Sequence, residues 1–128
     1  MGREPDTQTT DREGDRLSVD TIFELLSNSR RRHALRTLRD GEQTTLRALS
    51  EQIAASENGI DSDDLSAAQR KRVTIGLYQS HLPKLQRAGV VDYDRDRGTV
   101  VRTALADQLD PFLELAVAHA EHAGEASE

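Results

Sequence analysis

Polar side chains that can hydrogen-bond to nucleic-acid bases and phosphates lie along one face of a predicted helix over residues 73–88. At 100° per residue, apolar side chains fill about half of the helical projection. The opposite face and the first turn carry Arg72, Gly76, Gln79, Ser80, Pro83 and Arg87. Arginine offers two donors to guanine, a glutamine amide pairs with adenine, and a serine hydroxyl contacts a phosphate or any base. This face predicts base contacts in a DNA major groove, with an ordinary solvated surface as the alternative.

Basic residues around this face are predicted to contact DNA phosphates, and the three nearest the C-terminus can reach either the DNA backbone or a minor groove. They are Arg70, Lys71, Lys84, Arg95, Arg97 and Arg102. The segment 70–102 holds eight basic residues against Asp92, Asp94 and Asp96, so it carries +5 in a chain whose net charge is −6. Because these aspartates are interleaved with the later arginines, local salt bridges are the competing explanation for those arginines.

A second basic cluster lies on an earlier predicted helix. Arg30–Arg32, Arg36 and Arg39 follow one another with no acidic residue between them. Such a cluster can flank the duplex and hold phosphates. It can equally neutralise the acidic loop over residues 61–64, and the sequence leaves both readings open.

The elements that would position these residues follow the order of a winged helix-turn-helix. The core positions of the long helix, at spacings of three and four, are Val73, Leu77, Tyr78, Leu82 and Leu85. Pro83 predicts a kink near residues 79–83, because it removes a backbone donor. Gly89 ends the helix. Alternating apolar and charged residues then predict a hairpin with strands near 90–94 and 99–103.

Three shorter helices are predicted before this long helix. Ser18 is the N-cap of the first, residues 30–39 form the second, and Thr44 or Thr45 caps the third. Residues 56–66 lengthen the turn that a strict helix-turn-helix keeps to three or four residues, and their final serine caps the long helix. The predicted fold class is mainly α with a small β-hairpin: a winged helix-turn-helix with an extra C-terminal helix.

The chain is divided into four predicted segments. Residues 1–16 and 122–128 are polar and are predicted to be disordered tails. Residues 17–103 form the winged helix-turn-helix domain. Residues 104–121 form a C-terminal helical segment, whose helix is predicted to start at Asp110–Pro111 with a cap followed by proline.

An apolar stripe in the C-terminal segment predicts a homodimer interface. Its residues are Leu109, Phe112, Leu113, Ala116 and Val117. If the hairpin already closes the core, this stripe needs another surface to cover it. Packing on residues 22–26 of the same chain is the alternative. In a homodimer, two recognition helices about one DNA turn apart favour a pseudo-palindromic site.

Composition excludes several functional classes. The chain has no cysteine, which rules out disulfides, thiolate catalysis and cysteine-ligated metals. It lacks the run of about 18 apolar residues that predicts a transmembrane helix, and residues 1–16 lack the apolar region of a secretory signal, so a cytoplasmic protein is expected. His119 and His122 have helical spacing without further ligands around them. No metal, cofactor or enzymatic site is therefore predicted.

The charged residues have an unusual composition. Of the 17 basic residues, Lys71 and Lys84 are the only lysines, and 23 residues are acidic. This balance indicates a salt-loving archaeon, because an acidic surface stays soluble in concentrated salt. A GC-rich genome that replaces lysine by arginine is the alternative explanation for the lysine deficit.

Three stretches of the chain carry a family resemblance. They are SNSRRRHALRTL (Ser27–Leu38), LRALSEQIAASENG (Leu46–Gly59) and RKRVTIGLYQSHLPKLQRAGVVDYDRDRGTV (Arg70–Val100). They resemble a haloarchaeal family of small winged helix-turn-helix proteins, largely a domain of unknown function. The most specific part is HLPKL followed by AGVV, which spans residues 81–91.

More distantly, the same part resembles transcriptional regulators of the arsenic-repressor type. Their recognition helix carries Ser-x-His-Leu and runs into Ala-Gly-Leu-Val. Here His81 and Leu82 match and Gln79 stands in the serine position, so the resemblance implies DNA contacts for His81 and Gln79. The helical projection instead turns His81 toward the core. The metal-sensing cysteines of that group are absent, which argues against a thiol-based metalloregulator.

Residues and resemblance together predict a sequence-specific DNA-binding transcriptional regulator with a recognition helix and an arginine-bearing wing. Its expected partner is double-stranded DNA, bound by a homodimer, with an unknown effector and no membrane contact. The alternative is a winged-helix adaptor that binds proteins and not DNA. The acidic net charge favours the adaptor, because at 1 M salt screening acts within about 3 Å and exposed arginine–phosphate pairs contribute little.

Overall fold

The computed structural model describes residues 16–38 and 41–126, with the backbone alone at residue 117 and from residue 120 onward. The helices are α1 (Val19–Leu26), α2 (Ser29–Thr37), α3 (Leu46–Asn58), α4 (Ala67–Gly76), α5 (Leu82–Arg87) and α6 (Asp110–Ala126). The strands are β1 (Gln43–Thr45), β2 (Val91–Asp94) and β3 (Thr99–Arg102). Short 3₁₀ helices cover Ser62–Asp64 and Ala104–Leu109. The chain is thus mainly helical with a small antiparallel sheet. The tail predicted over residues 1–16 lies outside the described residues except for Arg16.

Side-chain caps fix where the helices start. The Ser18 hydroxyl accepts the Thr21 N–H at 3.1 Å, and the Thr45 hydroxyl accepts the Ala48 N–H at 3.0 Å. At the start of α4, Ser66 and Gln69 form a reciprocal capping box. These three N-caps confirm the sequence prediction. The predicted helix over residues 30–39 is shorter in the structure, since it begins after an Asn28 cap and ends at Thr37.

The sheet has the order β1-β3-β2, and both pairs are antiparallel. The hairpin β2–β3 confirms the predicted strands, whereas β1 was not predicted. Strand β1 is only three residues long, and it forms because Thr44 pairs with Val100 of β3. The Leu46 N–H donates to the Gly98 carbonyl at 2.8 Å, so the start of α3 is tied to the hairpin turn. Gly98 has φ 68°, a conformation that favours glycine.

A π-helical turn over Leu77–His81 joins α4 to α5, and we call residues 67–87 the central helix. The Leu82 N–H donates to the Leu77 carbonyl, five residues back instead of four. The predicted kink near residues 79–83 is therefore a widened turn. It lets the chain pass into Pro83, which has no N–H to offer the Gln79 carbonyl. As a consequence, the Tyr78 carbonyl loses the donor that an α-helix would give it.

The core lies between the central helix, the sheet and the other helices. Val73, Leu77, Leu82 and Leu85 are buried there, as the three-and-four spacing predicts. Tyr78 was assigned to the same stripe, and this is wrong: 42% of its surface is exposed. The π turn rotates the helix face at this position, so a constant 100° per residue misplaces it.

The C-terminal segment contributes to the same core. Leu109 and Leu113 are buried within their own chain, so they cannot form the predicted dimer contact. Phe112 keeps 38% of its surface exposed and Ala116 is half-buried. The side chain of Val117 lies outside the described part. Among the described residues, no helix has both the length and the apolar character to cross a membrane.

Candidate nucleic-acid interface

The central helix exposes a polar face without any carboxylate. From residue 66 to residue 91 the sequence contains no acidic residue, in a chain that has 23 of them. The exposed polar side chains of the helix between residues 71 and 87 are Lys71, Arg72, Gln79, Ser80, Gln86 and Arg87. These side chains can donate hydrogen bonds to bases and phosphates. Five of the six were predicted from the sequence, and Gln86 was missed.

Two predicted phosphate contacts are already engaged within the protein. The Arg70 Nε lies 3.3 Å from a Glu51 carboxylate oxygen on α3. The Lys84 ammonium donates to Glu24 on α1 at 2.6 Å, and this bond is the main cause of the lowered pKa of Glu24. Both pairs are partly exposed, so they remain open to exchange with a phosphate. In the structure as it stands, they hold the central helix on its neighbours.

The hairpin turn carries two arginines whose contacts differ. Arg97 is largely exposed, with its Nε 4.0 Å from Asp94. The Asp94 carboxylate accepts the backbone N–H groups of Asp96 and Arg97 at 3.1 and 3.2 Å, which rigidifies the turn. Arg95 lies over the Tyr78 ring, 4.5 Å from its centroid, and donates to the Tyr78 carbonyl at 3.4 Å. The carbonyl freed by the π turn thus receives a donor from the hairpin.

Arg102, predicted as a DNA contact, is instead a buried structural residue, with a side chain only 6% exposed. It donates to the Leu35 carbonyl at 3.2 Å, to Asp107 at 3.1 Å and to Asp110 at 2.8 Å. The guanidinium therefore joins β3, α2 and the start of α6. A phosphate contact would require all these bonds to break.

His81 is half-buried and contacts α2. Its Nδ1 lies 3.3 Å from an Arg31 nitrogen. Because arginine only donates, Nδ1 must accept, and the neutral ring carries its proton on Nε2. Gly76 allows this packing, since a Cβ there would meet Arg30 at 3.0 Å and His81 at 3.8 Å. The helical projection was right about His81, and the DNA contact implied by the resemblance does not fit this position.

The first three arginines of the basic cluster on α2 are engaged within the protein, away from the acidic loop at residues 61–64. Buried Arg31 donates to the Leu25 and Glu24 carbonyls, and Arg32 donates to the Leu26 carbonyl. These carbonyls lie in the last turn of α1, where the helix itself supplies no N–H, and the Glu24 carbonyl also accepts the N–H and hydroxyl of Ser27 at 3.3 and 2.8 Å. Arg30 forms a paired hydrogen bond with Glu57 on α3, at 2.8 and 3.1 Å. Arg36 is exposed, and Arg39 lies outside the described residues.

The arginines around His81 predict a pH dependence of stability. Burial, Arg31 and then Arg30 lower the pKa of His81 from 6.5, with Glu57 acting the other way. Burial and Arg36 likewise lower the pKa of His33. The unfolded chain then binds more protons below pH 6.5, so the free energy of unfolding should fall as the pH drops through that value. The slope is at most about 1.4 kcal/mol per pH unit for each histidine.

Denaturant unfolding between about pH 5 and 8 would measure this slope. His81→Gln keeps an acceptor for Arg31 and removes the titration, so its slope should be smaller than that of the wild type. Gln52→Ala, at an exposed position on α3 that carries no titrating group, is the control and should leave the slope unchanged. An unchanged slope in His81→Gln would contradict the assignment.

Ile75 is a further residue of the polar face that sequence reasoning missed. It is 43% exposed and neighbours Arg72 and Gln79 at helical spacings of three and four. An exposed apolar side chain among donors fits contact with a thymine methyl group. The sequence already showed the helical spacing of Ile75 from Arg72 and Gln79, whereas the exposure of its side chain depends on how the helix packs.

The comparisons with known proteins give one match. The sequence model of a family described as a domain of unknown function (DUF7344) matches residues 23–101. No curated protein and no solved structure matches the chain.

Proposed function

The chain belongs to the DUF7344 family of domains of unknown function, and we propose that it is a winged helix-turn-helix protein that binds DNA sequence-specifically and regulates transcription. In this proposal α3 and the central helix form the helix-turn-helix, and the central helix is the recognition helix. Strands β2 and β3 form the wing. The element order helix, strand, helix, helix, strand, strand from α2 to β3 supports this assignment.

The observation that carries the proposal is the carboxylate-free outer face of the central helix. In an acidic chain, exposed donors on one 21-residue helix, with no acid from residue 66 to residue 91, form a surface that suits a polyanion. Arg72, Gln79 and Ile75 offer base contacts, while Lys71 and Arg87 offer phosphate contacts. The hairpin lies beside this face, because Arg95 bonds to the Tyr78 carbonyl.

The haloarchaeal resemblance shapes how such a protein would bind. In concentrated salt, phosphate contacts lose most of their contribution, so affinity must come from base contacts and surface fit. Several of the predicted phosphate contacts are engaged with carboxylates or buried, which leaves a small number of free basic groups for phosphates. A face of mixed arginine, glutamine and isoleucine is consistent with that requirement.

The proposal is tested by selecting ligands from a random duplex pool at about 0.2 M and about 2 M KCl. The bound DNA is recovered and sequenced. We expect enrichment of an inverted motif at both concentrations. Folded protein that enriches no motif at either concentration would refute DNA recognition and favour the protein-binding adaptor.

For the dimer, we propose a surface that shares only Phe112 with the predicted stripe. Val19 and Phe23 on α1 are 64% and 61% exposed, and Leu115 on α6 is 69% exposed. The rings of Phe23 and Phe112 meet edge to face at 6.4 Å, which joins the two exposed stripes into one apolar patch. We propose that this patch, defined by these four residues, contacts a second copy of the chain.

The double variant Phe23→Asp/Leu115→Asp should be a monomer, because it places charges in the proposed interface. Sedimentation equilibrium would show a mass near 14.2 kDa, against twice that mass for the wild type. Ile60→Asp changes an exposed isoleucine outside the patch and should remain dimeric. A monomeric wild type would refute the dimer and leave the patch to the adaptor hypothesis.

A further inference from the structure

A cleft of about 300 Å³ lies between the end of the central helix and β2. It is lined by Gln79, Pro83, Gln86, Arg87, Tyr93 and Arg95. Every polar side chain in this set can donate a hydrogen bond, and none is a carboxylate. Four other clefts in the described part of the chain each have at least one aspartate or glutamate in their walls. The donor set of this cleft is that of an anion site.

The Tyr93 hydroxyl is the second observation at this cleft. Tyr93 is only 6% exposed, and its hydroxyl proton has no hydrogen-bond acceptor among the described residues. Burial raises the pKa of Tyr93, with the charge of Arg95 and a hydrogen bond from its side chain to the phenol oxygen acting the other way, so the hydroxyl keeps its proton at neutral pH. A buried donor without an acceptor is costly. A ligand that supplies an acceptor would remove that cost.

Arg95 can reach the cleft without a large rearrangement. It is exposed, lines the cleft, and is held on Tyr78 by a long 3.4 Å bond and by its contact with the ring. The carboxylates nearest in sequence are directed elsewhere. Asp92 and Asp94 alternate with Tyr93 along β2 and are exposed, and Asp94 is bonded to the hairpin turn. A guanidinium can therefore turn toward an anion here without first leaving a carboxylate.

We propose that this cleft binds a single phosphate group, held by Arg87, Arg95 and the Tyr93 hydroxyl, with the two glutamine amides completing the donor set. The source of that phosphate rests on the proposed function: in the DNA complex it is a backbone phosphodiester beside the recognition helix. Charge-assisted bonds from two guanidinium groups orient such a group strongly. Because the wing and the recognition helix would hold the same phosphate, the site fixes where the protein sits along the duplex. It therefore contributes to the position of the protein on DNA as well as to its affinity.

The two tyrosines of the chain provide a matched pair of variants. Tyr93→Phe removes the hydroxyl in the cleft, whereas Tyr78→Phe removes one that does not line it and keeps the ring under Arg95. We expect Tyr93→Phe to bind a labelled random-sequence duplex about tenfold more weakly, with an unfolding midpoint equal to or above that of the wild type. Tyr78→Phe should bind within about twofold of the wild type. Arg87→Gln should reduce the salt slope of binding by about one.

Titration with inorganic phosphate separates this inference from the proposed function. The chain has two tyrosines and no tryptophan, so in Tyr78→Phe the fluorescence comes from Tyr93 alone and reports on this cleft. We expect phosphate to change the fluorescence of the wild type and of Tyr78→Phe, and not that of Arg87→Gln. If the wild type binds the duplex and Tyr93→Phe binds it equally well, the cleft proposal is wrong and DNA binding stands.

Two further outcomes of these experiments also distinguish the cleft proposal from the proposed function. A wild type that binds no duplex, yet responds to phosphate through Arg87, would refute DNA binding and support the cleft as a site for a free phosphate-bearing molecule. If the wild type responds to neither the duplex nor inorganic phosphate, both proposals are wrong.

Discussion

Replacing Arg72 and Gln79 together by alanine is expected to abolish sequence selection while leaving the protein folded. Both side chains are exposed on the outer face of the central helix. Each good base contact contributes about 1–3 kcal/mol of discrimination. Their joint loss should thus reduce the preference for the enriched motif over a scrambled duplex by about 30-fold or more. Fluorescence anisotropy with the two duplexes measures this preference.

The matched control carries the same two changes elsewhere. Arg36→Ala/Gln52→Ala removes an exposed arginine and an exposed glutamine that line a cleft between α2, β1 and α3. If Arg36 contacts a phosphate, its loss weakens binding to every sequence by a similar factor and leaves the preference intact. Both double variants should have a free energy of unfolding within about 0.5 kcal/mol of the wild-type value, because only exposed side chains are replaced. Undiminished preference in Arg72→Ala/Gln79→Ala would show that this face does not contact the bases.

Arg102→Ala is expected to lower the free energy of unfolding by about 2–4 kcal/mol. The change leaves the Leu35 carbonyl, Asp107 and Asp110 without their guanidinium donors and opens a void beside the core. The two carboxylates are about half exposed, so water compensates part of the loss and the effect stays below that of a fully buried pair. The total free energy of unfolding of a small domain is only about 5–15 kcal/mol, so this loss would be a large fraction of it. Urea unfolding of the two proteins measures the difference.

Arg97→Ala is the matched control for this experiment. Its side chain is 81% exposed and reaches Asp94 only at 4.0 Å, so its removal should change the unfolding free energy by less than about 0.5 kcal/mol. The two arginines lie five residues apart on one hairpin, yet only the replacement of Arg102 is expected to lower stability substantially. If Arg102→Ala were as stable as the wild type and weakened DNA binding, the sequence assignment of Arg102 to the DNA-contacting wing would be restored.

The correct sequence predictions share a physical origin: they depend on neighbours within a few positions. Ser18, Thr45 and Ser66 each cap the helix that follows, because a side-chain oxygen reaches an N–H three residues on. The hairpin follows from residue alternation and from a glycine at a positive φ. The exposed donors of the central helix were likewise predictable, since helical spacing groups them on one face.

The incorrect or incomplete predictions involve partners far away in the sequence. Strand β1 exists through pairing with β3, more than 50 residues later. Arg102 is buried because it meets the Leu35 carbonyl, 67 residues away, and His81 faces inward because it meets Arg31, 50 residues away. Tyr78 is exposed because the π turn changes the helical phase. Local spacing indicated the inward direction of His81, against the resemblance, but it carries no signal of the distant partner or of the other contacts.

By itself, the sequence determined the kind of chemistry available: donors of both charged and neutral type on an acid-free helix, a hairpin beside it, and no cysteine for other chemistry. Only the tertiary structure decided which donors remain free. It assigned Arg31 and Arg102 to backbone carbonyls, tied Arg70 and Lys84 to carboxylates, and placed Tyr93 with Arg87 at one cleft. The reason is physical: the type of an interaction is set by the side chain, whereas its partner is set by the packing that brings distant segments together.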